Sequence, residues 1–309
     1  MRVSVIVSTY NQPAWLEKAL WGYARQRYRD FELLIADDGS REETTALLRR
    51  VAAETGLRLV HVWHEDQGYR RSVVLNRAAL AARGEYLIWS DGDCIPREDF
   101  VARHVALARP GHFVSGGALY LPLQTSQAIT EADVHSGRAF RPGWLRAHGY
   151  RPGRRMLRLV RSQTLAALFD RLTPTGATWN LNNAATWRDA ILQVNGMDND
   201  MTYGGADRAL GERLTNLGLK AIQARHRLVM LHLDHKRPYK TAESVRLNRE
   251  NRARIRREQR VRAPQGIAEL PADERAVVRH YGADGTGRAG GPGAGQEREP
   301  VIQTRREPT

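Results

Sequence analysis

Asp91 and Asp93 flank one glycine in Trp89-Ser90-Asp91-Gly92-Asp93-Cys94, just past the apolar run 85–89, where a buried strand would end. Two carboxylates at i and i+2 on extended chain point to one side, and the glycine lets a ligand come close to the backbone. Like charges so near repel, so a cation beside them is expected; oxygen ligands of this kind suit Mg²⁺ or Mn²⁺, with phosphate oxygens completing the shell. The chemistry suggested is a metal-bound diphosphate. Asp-Gly is equally an ordinary turn signal, so the tripeptide alone reads either way.

Other side chains offer complementary chemistry, each with a plainer reading beside it. Asp207 opens a helix-like stretch behind Gly204 and Gly205, glycines that could bring a donor and an acceptor close. It reads as a general base or as the N-cap that aspartate favours. Arg71 opens an earlier helix and could meet a diphosphate through its planar fork and the helix amino end, or simply be solvated. Asn76 in the same helix is a nucleotide contact or a polar-face residue. His232, in His232-Leu233-Asp234-His235, is a satisfied polar residue at a strand end or a ligand. Among Trp144, Tyr150, Trp179 and Trp187, only Trp179 is expected to line a site, core packing being the commoner fate. Asn180-Leu181-Asn182-Asn183 offers amides, Asn182 among them, to sugar hydroxyls, or is a polar turn.

These groups need a frame. Short apolar runs at 3–8, 31–36, 57–63 and 85–89 have strand length, and helical spacing lies between them, as in Trp15, Leu16, Ala19, Leu20 and Tyr23. Alternating strands and helices imply an α/β fold with a mostly parallel sheet and helices on both faces. Such sheets bind ligands beyond their carboxyl ends. Three polar clusters fall there: Thr9-Tyr10-Asn11, Asp37-Asp38-Gly39-Ser40 and Asp91-Gly92-Asp93. Thr9 and Asn11 could also merely end a strand. The pattern then turns irregular and arginine-rich over 123–175, as an insertion or flexible lobe over the sheet edge. Order returns over 176–240, with helices near 187–193 and 207–217 and a last strand at 228–233. A basic helical extension is expected at 241–281, and a tail without periodicity, disordered, at 282–309.

Composition narrows the class. The 309 residues are 41% hydrophobic, ordinary for a globular chain, and hold no apolar run of membrane-spanning length. The first apolar stretch is too short for a signal segment, and the single cysteine, Cys94, excludes an intrachain disulfide; both point to a cytoplasmic protein. The formal charge of +14 is unevenly placed: between Arg138 and Arg171 stand nine arginines and one acid, Asp170, and 246–262 is again arginine-dense. No nucleic-acid motif accompanies this charge, so nucleic acid is not the expected partner.

With these clusters in order, the chain resembles the glycosyltransferase family 2 enzymes of the GT-A fold over roughly 1–240. The opening 3–11 and the segment 31–40 look like that family's first two strands and uridine turn, and Asp91-Gly92-Asp93 stands where its D-x-D motif does. By that resemblance Thr9, Tyr10, Asn11, Asp38, Arg71, Asn76 and Asp91 would hold the nucleotide, Asp38 on the uracil ring and Asp91 near the ribose. Asp93 would reach the metal, Mn²⁺ or Mg²⁺. Gly196-Met197-Asp198-Asn199-Asp200 with Tyr203-Gly204-Gly205-Ala206-Asp207 resembles the carboxy-terminal galactosyltransferase motif, with Tyr203 for its tryptophan and Ala206 for its usual glutamate. Asp207 then takes the catalytic place and His232, with His235 in reserve, completes the metal shell.

The resemblance implies an inverting, metal-dependent transfer from a UDP-sugar, of galactose, glucose or N-acetylhexosamine type, to a glycan or lipid-linked acceptor in bacterial surface polysaccharide synthesis. Trp179, Asn182, Gly204 and Gly205 would line the sugar and acceptor side. The arginine clusters would meet a phosphorylated acceptor or an anionic membrane face, as in a peripheral protein. The competing class is a non-catalytic nucleotide or nucleic-acid binding protein on a degenerate GT-A fold.

Overall fold

The computed structural model describes residues 1–235, 241–271 and 276–282. Of the expected 282–309 tail, all but Gly282 therefore lies outside the described residues, as does the end of the 176–240 segment.

Four runs of buried apolar residues form adjacent parallel strands: β1 (Val3–Thr9), β2 (Phe31–Asp37), β3 (Leu59–Trp63) and β4 (Tyr86–Asp91). Their period-2 alternation is apolar on both sides. Val3, Val5, Val7, Leu33, Ile35, Tyr86 and Ile88 enter one core, while Ile6, Leu34, Ala36, Leu87 and Trp89 enter the other. A strand buried on both faces needs a helix layer on each. On the first face lie α1 (Pro13–Ala24), α2 (Glu42–Thr55) and α4 (Phe100–Leu107), and on the second α3 (Arg71–Ala81), α9 (Arg188–Gln193) and α10 (Ala206–Asn216). Proline at the first turn starts α1, and left-handed Gly56 ends α2.

The main sheet has eight strands in the order β11-β3-β2-β1-β4-β8-β6-β9, adding β6 (His112–Ser115), β8 (Asn183–Trp187), β9 (Lys220–Gln223) and β11 (Val277–Tyr281). Only β8 and β11 run antiparallel to the rest, so the expected α/β, mostly parallel sheet is present. A second sheet, β5-β10-β7, joins β5 (Cys94–Pro96), β7 (Gly117–Tyr120) and β10 (Val229–His232). The last strand read from sequence thus belongs to this small sheet.

Two expectations are corrected. The 123–175 segment is not irregular: it holds the short helices α5 (Leu123–Ala128), α6 (Glu131–His135), α7 (Pro142–Ala147) and α8 (Gln163–Leu172) and two 3₁₀ turns. Most are too short to show a clear helical period between their prolines and glycines, and Val134 of α6 and Leu145 of α7, with Ile129, Phe140 and Leu159, close a third core with Leu119, Val229 and Leu231 of the small sheet. This lobe is tied to α1, where Lys18 Nζ donates to the carbonyls of Ser126, Gln127 and Ile129 at 2.9, 3.0 and 2.7 Å. Among its described residues the 241–281 extension is helical only in α11 (Ala242–Arg257) and ends as strand β11 on the edge of β3.

Trp179 is a further correction, since it is fully buried and lines no cleft. Its indole packs edge-on against Trp89 and Phe113, with centroids 6.3 and 5.8 Å apart, and Gly211 leaves it room: a Cβ there would fall 2.5 Å from the Trp179 Cβ. Trp179→Ala is expected to lower unfolding stability by about 3–5 kcal/mol, read from the urea midpoint at unchanged slope.

Candidate active site

The chain adds β2 and β3 on one side of β1 and β4 on the other, so a crevice opens at the carboxyl ends of β1 and β4, where Ser8 pairs with Asp91. A cleft of about 760 Å³ occupies this place. Thr9, Tyr10, Asp38, Arg71, Asp91 and Asp93 line it from the first half of the chain, and Asn182, Gly204, Gly205, Asp207, His232 and His235 from the second. The Gly92 N–H bonds the Ser8 carbonyl at 2.8 Å, and a Cβ on Gly92 would sit 3.1 Å from that oxygen. Asp-Gly-Asp is therefore a turn and a cleft wall at once.

The wall around Arg71 is a charge-paired unit. Arg71, first residue of α3, donates through NH2 to Asp91 Oδ1 and through Nε to Ser8 Oγ at 3.1 Å, and Ser8 Oγ–H donates to Asp91 at 2.9 Å. Burial alone would make this guanidinium easier to deprotonate, but Asp91, Tyr69 and Asp207 together outweigh it and hold the charge more firmly. Asp38 accepts from His64 Nε2 at 2.8 Å and from the Arg70 N–H at 3.1 Å. Its burial raises its pKa against those stabilising contacts. Tyr10 is half exposed and donates to Asp66 at 2.8 Å.

Two expected nucleotide contacts are placed elsewhere. Asn11 adopts a left-handed φ of 47°, its N–H bonding Ser40 Oγ and its Oδ1 accepting from the Arg41 N–H, so it shapes the turn beneath Tyr10 and lines no cleft. Asn76 is fully buried: Nδ2 donates to the Met197 carbonyl and Asn199 Oδ1, both at 2.9 Å, and Oδ1 accepts from the Met197 N–H at 2.7 Å. With its amide spent bracing 197–199 against α3, it has nothing to offer a nucleotide.

The antiparallel pairing of β5 with β10 sets His232 opposite Cys94 and so beside Asp93. His232 Nδ1 lies 2.8 Å from the Leu233 carbonyl, which can only accept, so Nδ1 carries a proton and Nε2 is the nitrogen that faces Asp93 Oδ1, at 3.9 Å. His235 Nε2 lies 2.9 Å from Asp93 Oδ2, its ring stacked on that of His232. Burial would raise the Asp93 pKa, but the two imidazoles overcome it and take it down to about 2. An ionised carboxylate and two imidazole nitrogens directed at it make a donor set that fits a divalent cation such as Mn²⁺. Both histidines, and not one of them, face Asp93. The Cys94 thiol donates to Asp93 at 3.4 Å, and burial keeps it protonated.

Asp207 closes the opposite wall. Gly205 is the N-cap of α10, so Asp207 is not the cap; it sits in the first turn, its Oδ1 accepting from the Arg208 N–H at 2.8 Å. Burial raises its pKa, with the Arg208 bond and the Arg71 charge acting the other way. Gly204 and Gly205 take φ of 110° and 136°, and α11 packs on them: Cβ atoms there would meet Val245 and Arg252 at 3.1 and 3.2 Å. Asn248 Nδ2 donates to the Thr202 and Tyr203 carbonyls. The Asn182 amide reaches the Tyr120 hydroxyl at 3.3 Å, and Tyr120 lies over the His232 ring.

Ser8, Tyr69 and Tyr120 also line the cleft and were not singled out in the sequence. Tyr69, two residues before Arg71, packs edge-on against Tyr203 across the cleft, a pairing that only the 203–205 turn creates. Tyr120 comes from β7, whose few residues carry no strand signal of their own.

Comparison with known proteins adds relatives to this geometry. The model of a family described as glycosyl transferase family 2 matches residues 4–158. Validoxylamine A glucosyltransferase of Streptomyces hygroscopicus subsp. jinggangensis is 30% identical over 223 residues, 70% of this chain and 52% of that protein. The chain thus spans about half the length of that relative. The uncharacterized glycosyltransferase YfnE of Bacillus subtilis is 25% identical over 282 residues, 80% of this chain and 69% of its own. Among solved structures, S. aureus TarS 1–349 in complex with UDP superposes with a TM-score of 0.54 at 13% identity, covering 87% of this chain and 68% of that one, a likeness of fold.

Proposed function

The chain belongs to glycosyl transferase family 2 and is a glycosyltransferase of GT-A fold, and on that premise we propose that it moves a sugar, with inversion, from a UDP-sugar to a glycan or lipid-linked acceptor of bacterial surface polysaccharide synthesis. The observation that carries this reading is that one cleft holds Asp93, with His232 and His235, on one wall and Asp207 on another. The first carboxylate is held ionised, the second is made more basic.

Asp38 would accept from the uracil edge, each of its oxygens keeping a lone pair beside its bond to His64 or Arg70. Asp93 with His232 and His235 would hold Mn²⁺ or Mg²⁺, which when bound neutralises charge on the departing diphosphate without a proton. Arg71, paired to Asp91, sets a positive charge at the amino end of α3 for the same phosphates. Asp207 takes the proton from the acceptor hydroxyl as its oxygen bonds to the anomeric carbon and the bond from that carbon to the UDP oxygen breaks. One displacement inverts the centre, and the proton ends on Asp207.

The decisive screen is divalent-dependent UDP release from UDP-galactose, UDP-glucose and UDP-N-acetylhexosamines, followed by the anomeric configuration of the product. Retention at the anomeric centre would overturn the assigned displacement, and UDP binding without turnover of any sugar would favour the non-catalytic reading.

A pH dependence follows from the same geometry. A base must be deprotonated to act, and the Asp207 pKa is raised, so kcat/KM is expected to fall on the acid side at a pH above the ordinary aspartate value of about 4. The acid limb of the pH profile checks this, and in Asp207→Glu that limb should move while the alkaline side stays in place.

A further inference from the structure

Helix α8 is inverted relative to a normal surface helix. Its inward face carries Ala166 and Asp170, and Asp170 is pinned by the His226 N–H at 2.7 Å and Arg227 Nε at 2.8 Å. The opposite face, at i, i+3 and i+7, presents Leu165, Leu168 and Leu172, 39, 48 and 68% exposed. A helix held to its protein by one face normally turns polar residues outward. Leu157, 52% exposed in the preceding 3₁₀ turn (Arg154–Leu159), extends the apolar surface.

Arginine flanks these leucines along the chain. Arg151, Arg154, Arg155, Arg161 and Arg171 are all exposed, and none forms an ion pair with a described residue. The one acid of the stretch, Asp170, is buried and already paired. A leucine stripe flanked by unpaired arginines matches an anionic lipid surface, with guanidinium groups at the phosphates and leucines at the acyl boundary. A second copy of the chain fits less well, since a symmetric contact would set these arginines against themselves.

We propose that the leucine face of α8, with the arginines of 151–161 and Arg171, is an in-plane docking surface for an anionic phospholipid bilayer. The chain continues from α8 through 173–179 to Asn180 and Asn182 on the cleft wall, and Arg158 donates to the Ala118 carbonyl, two residues before Tyr120 at the same wall. The segment 173–179 thus joins the docking face to the Asn182 side of the cleft. The binding itself needs neither donor nor acceptor.

Sedimentation of the full chain with phosphatidylcholine vesicles, with and without about 30 mol% phosphatidylglycerol, tests this. The protein is expected to pellet with the anionic vesicles and to be released by high salt. The combined L165Q/L168Q/L172Q variant should lose affinity at least about tenfold, and R154Q/R155Q/R161Q should lose it comparably, with circular dichroism and unfolding midpoint unchanged in at least one of them. Absence of wild-type binding to the anionic vesicles, or equal binding by the leucine variant, overturns the proposal. So does a wild-type dimer that the leucine variant dissolves, which would assign the stripe to a second copy.

Discussion

Asp207→Asn is expected to lower turnover by about 10² to 10⁴ while leaving divalent-dependent UDP binding near its original strength. The substitution is nearly isosteric, and the amide oxygen can still accept the Arg208 N–H that Asp207 Oδ1 accepts at 2.8 Å. Gly205, and not residue 207, caps α10, so the helix start does not depend on the carboxylate. What is removed is a proton acceptor that burial has made more basic. A structural role would instead show as a fall in unfolding midpoint or in UDP affinity. Stopped turnover with intact binding, measured by UDP release beside calorimetric titration, separates the two, and unchanged turnover would remove Asp207 from the chemistry.

The second large effect is at Asp93. Asp93→Ala is expected to cut UDP-sugar turnover by roughly 10³-fold or more, since metal assistance is worth several kcal/mol and each 1.4 kcal/mol is tenfold. It should also abolish the dependence of UDP affinity on Mn²⁺, a readout independent of turnover. Both His232 and His235 face Asp93, at 3.9 and 2.9 Å, and neither imidazole can replace its negative charge. Chelation of the wild-type protein should mimic the variant and be reversed by added Mn²⁺, whereas the variant should stay inactive. Either histidine changed singly to Ala should weaken metal affinity less than Asp93→Ala, because one imidazole and the carboxylate remain. Mn²⁺-dependent turnover surviving in Asp93→Ala would displace the site from this corner of the cleft.

Much of this was legible before any coordinates. The strand ends carrying Thr9, Asp38 and Asp91 could be read because a strand buried on both faces is a continuous apolar run, and its first polar residue marks where the sheet stops. Parallel pairing follows from the alternation of strand and helix, whereas the order that seats β4 beside β1 is a property of the fold. The lobe was not legible in the same way: α5 to α7 are too short to show a period, and the core that α6 and α7 enter is completed by β7 and β10, from distant parts of the chain.

The misplaced residues mark the same boundary. Asn76 and Trp179 have the right chemistry for a nucleotide and a sugar, yet Met197 and Asn199 consume the first and Trp89 and Phe113 enclose the second. Nothing local distinguishes an amide that meets a ligand from one that braces a loop far along the chain. His235 shows the converse, since a residue held in reserve lies nearest to Asp93.

The amino-acid sequence by itself determined the parallel α/β core, the positions where its strands end and the set of side chains able to do chemistry there, because burial periodicity and residue type are local properties. Only the tertiary structure decided which of those side chains share the cleft, which are spent in the core, and which carboxylate is held ionised and which made basic. Partners and desolvation set those outcomes, and both arise from contacts between distant segments, above all the β5–β10 pairing that brings His232 to Asp93 and the packing of α11 that places Gly205 and Asp207.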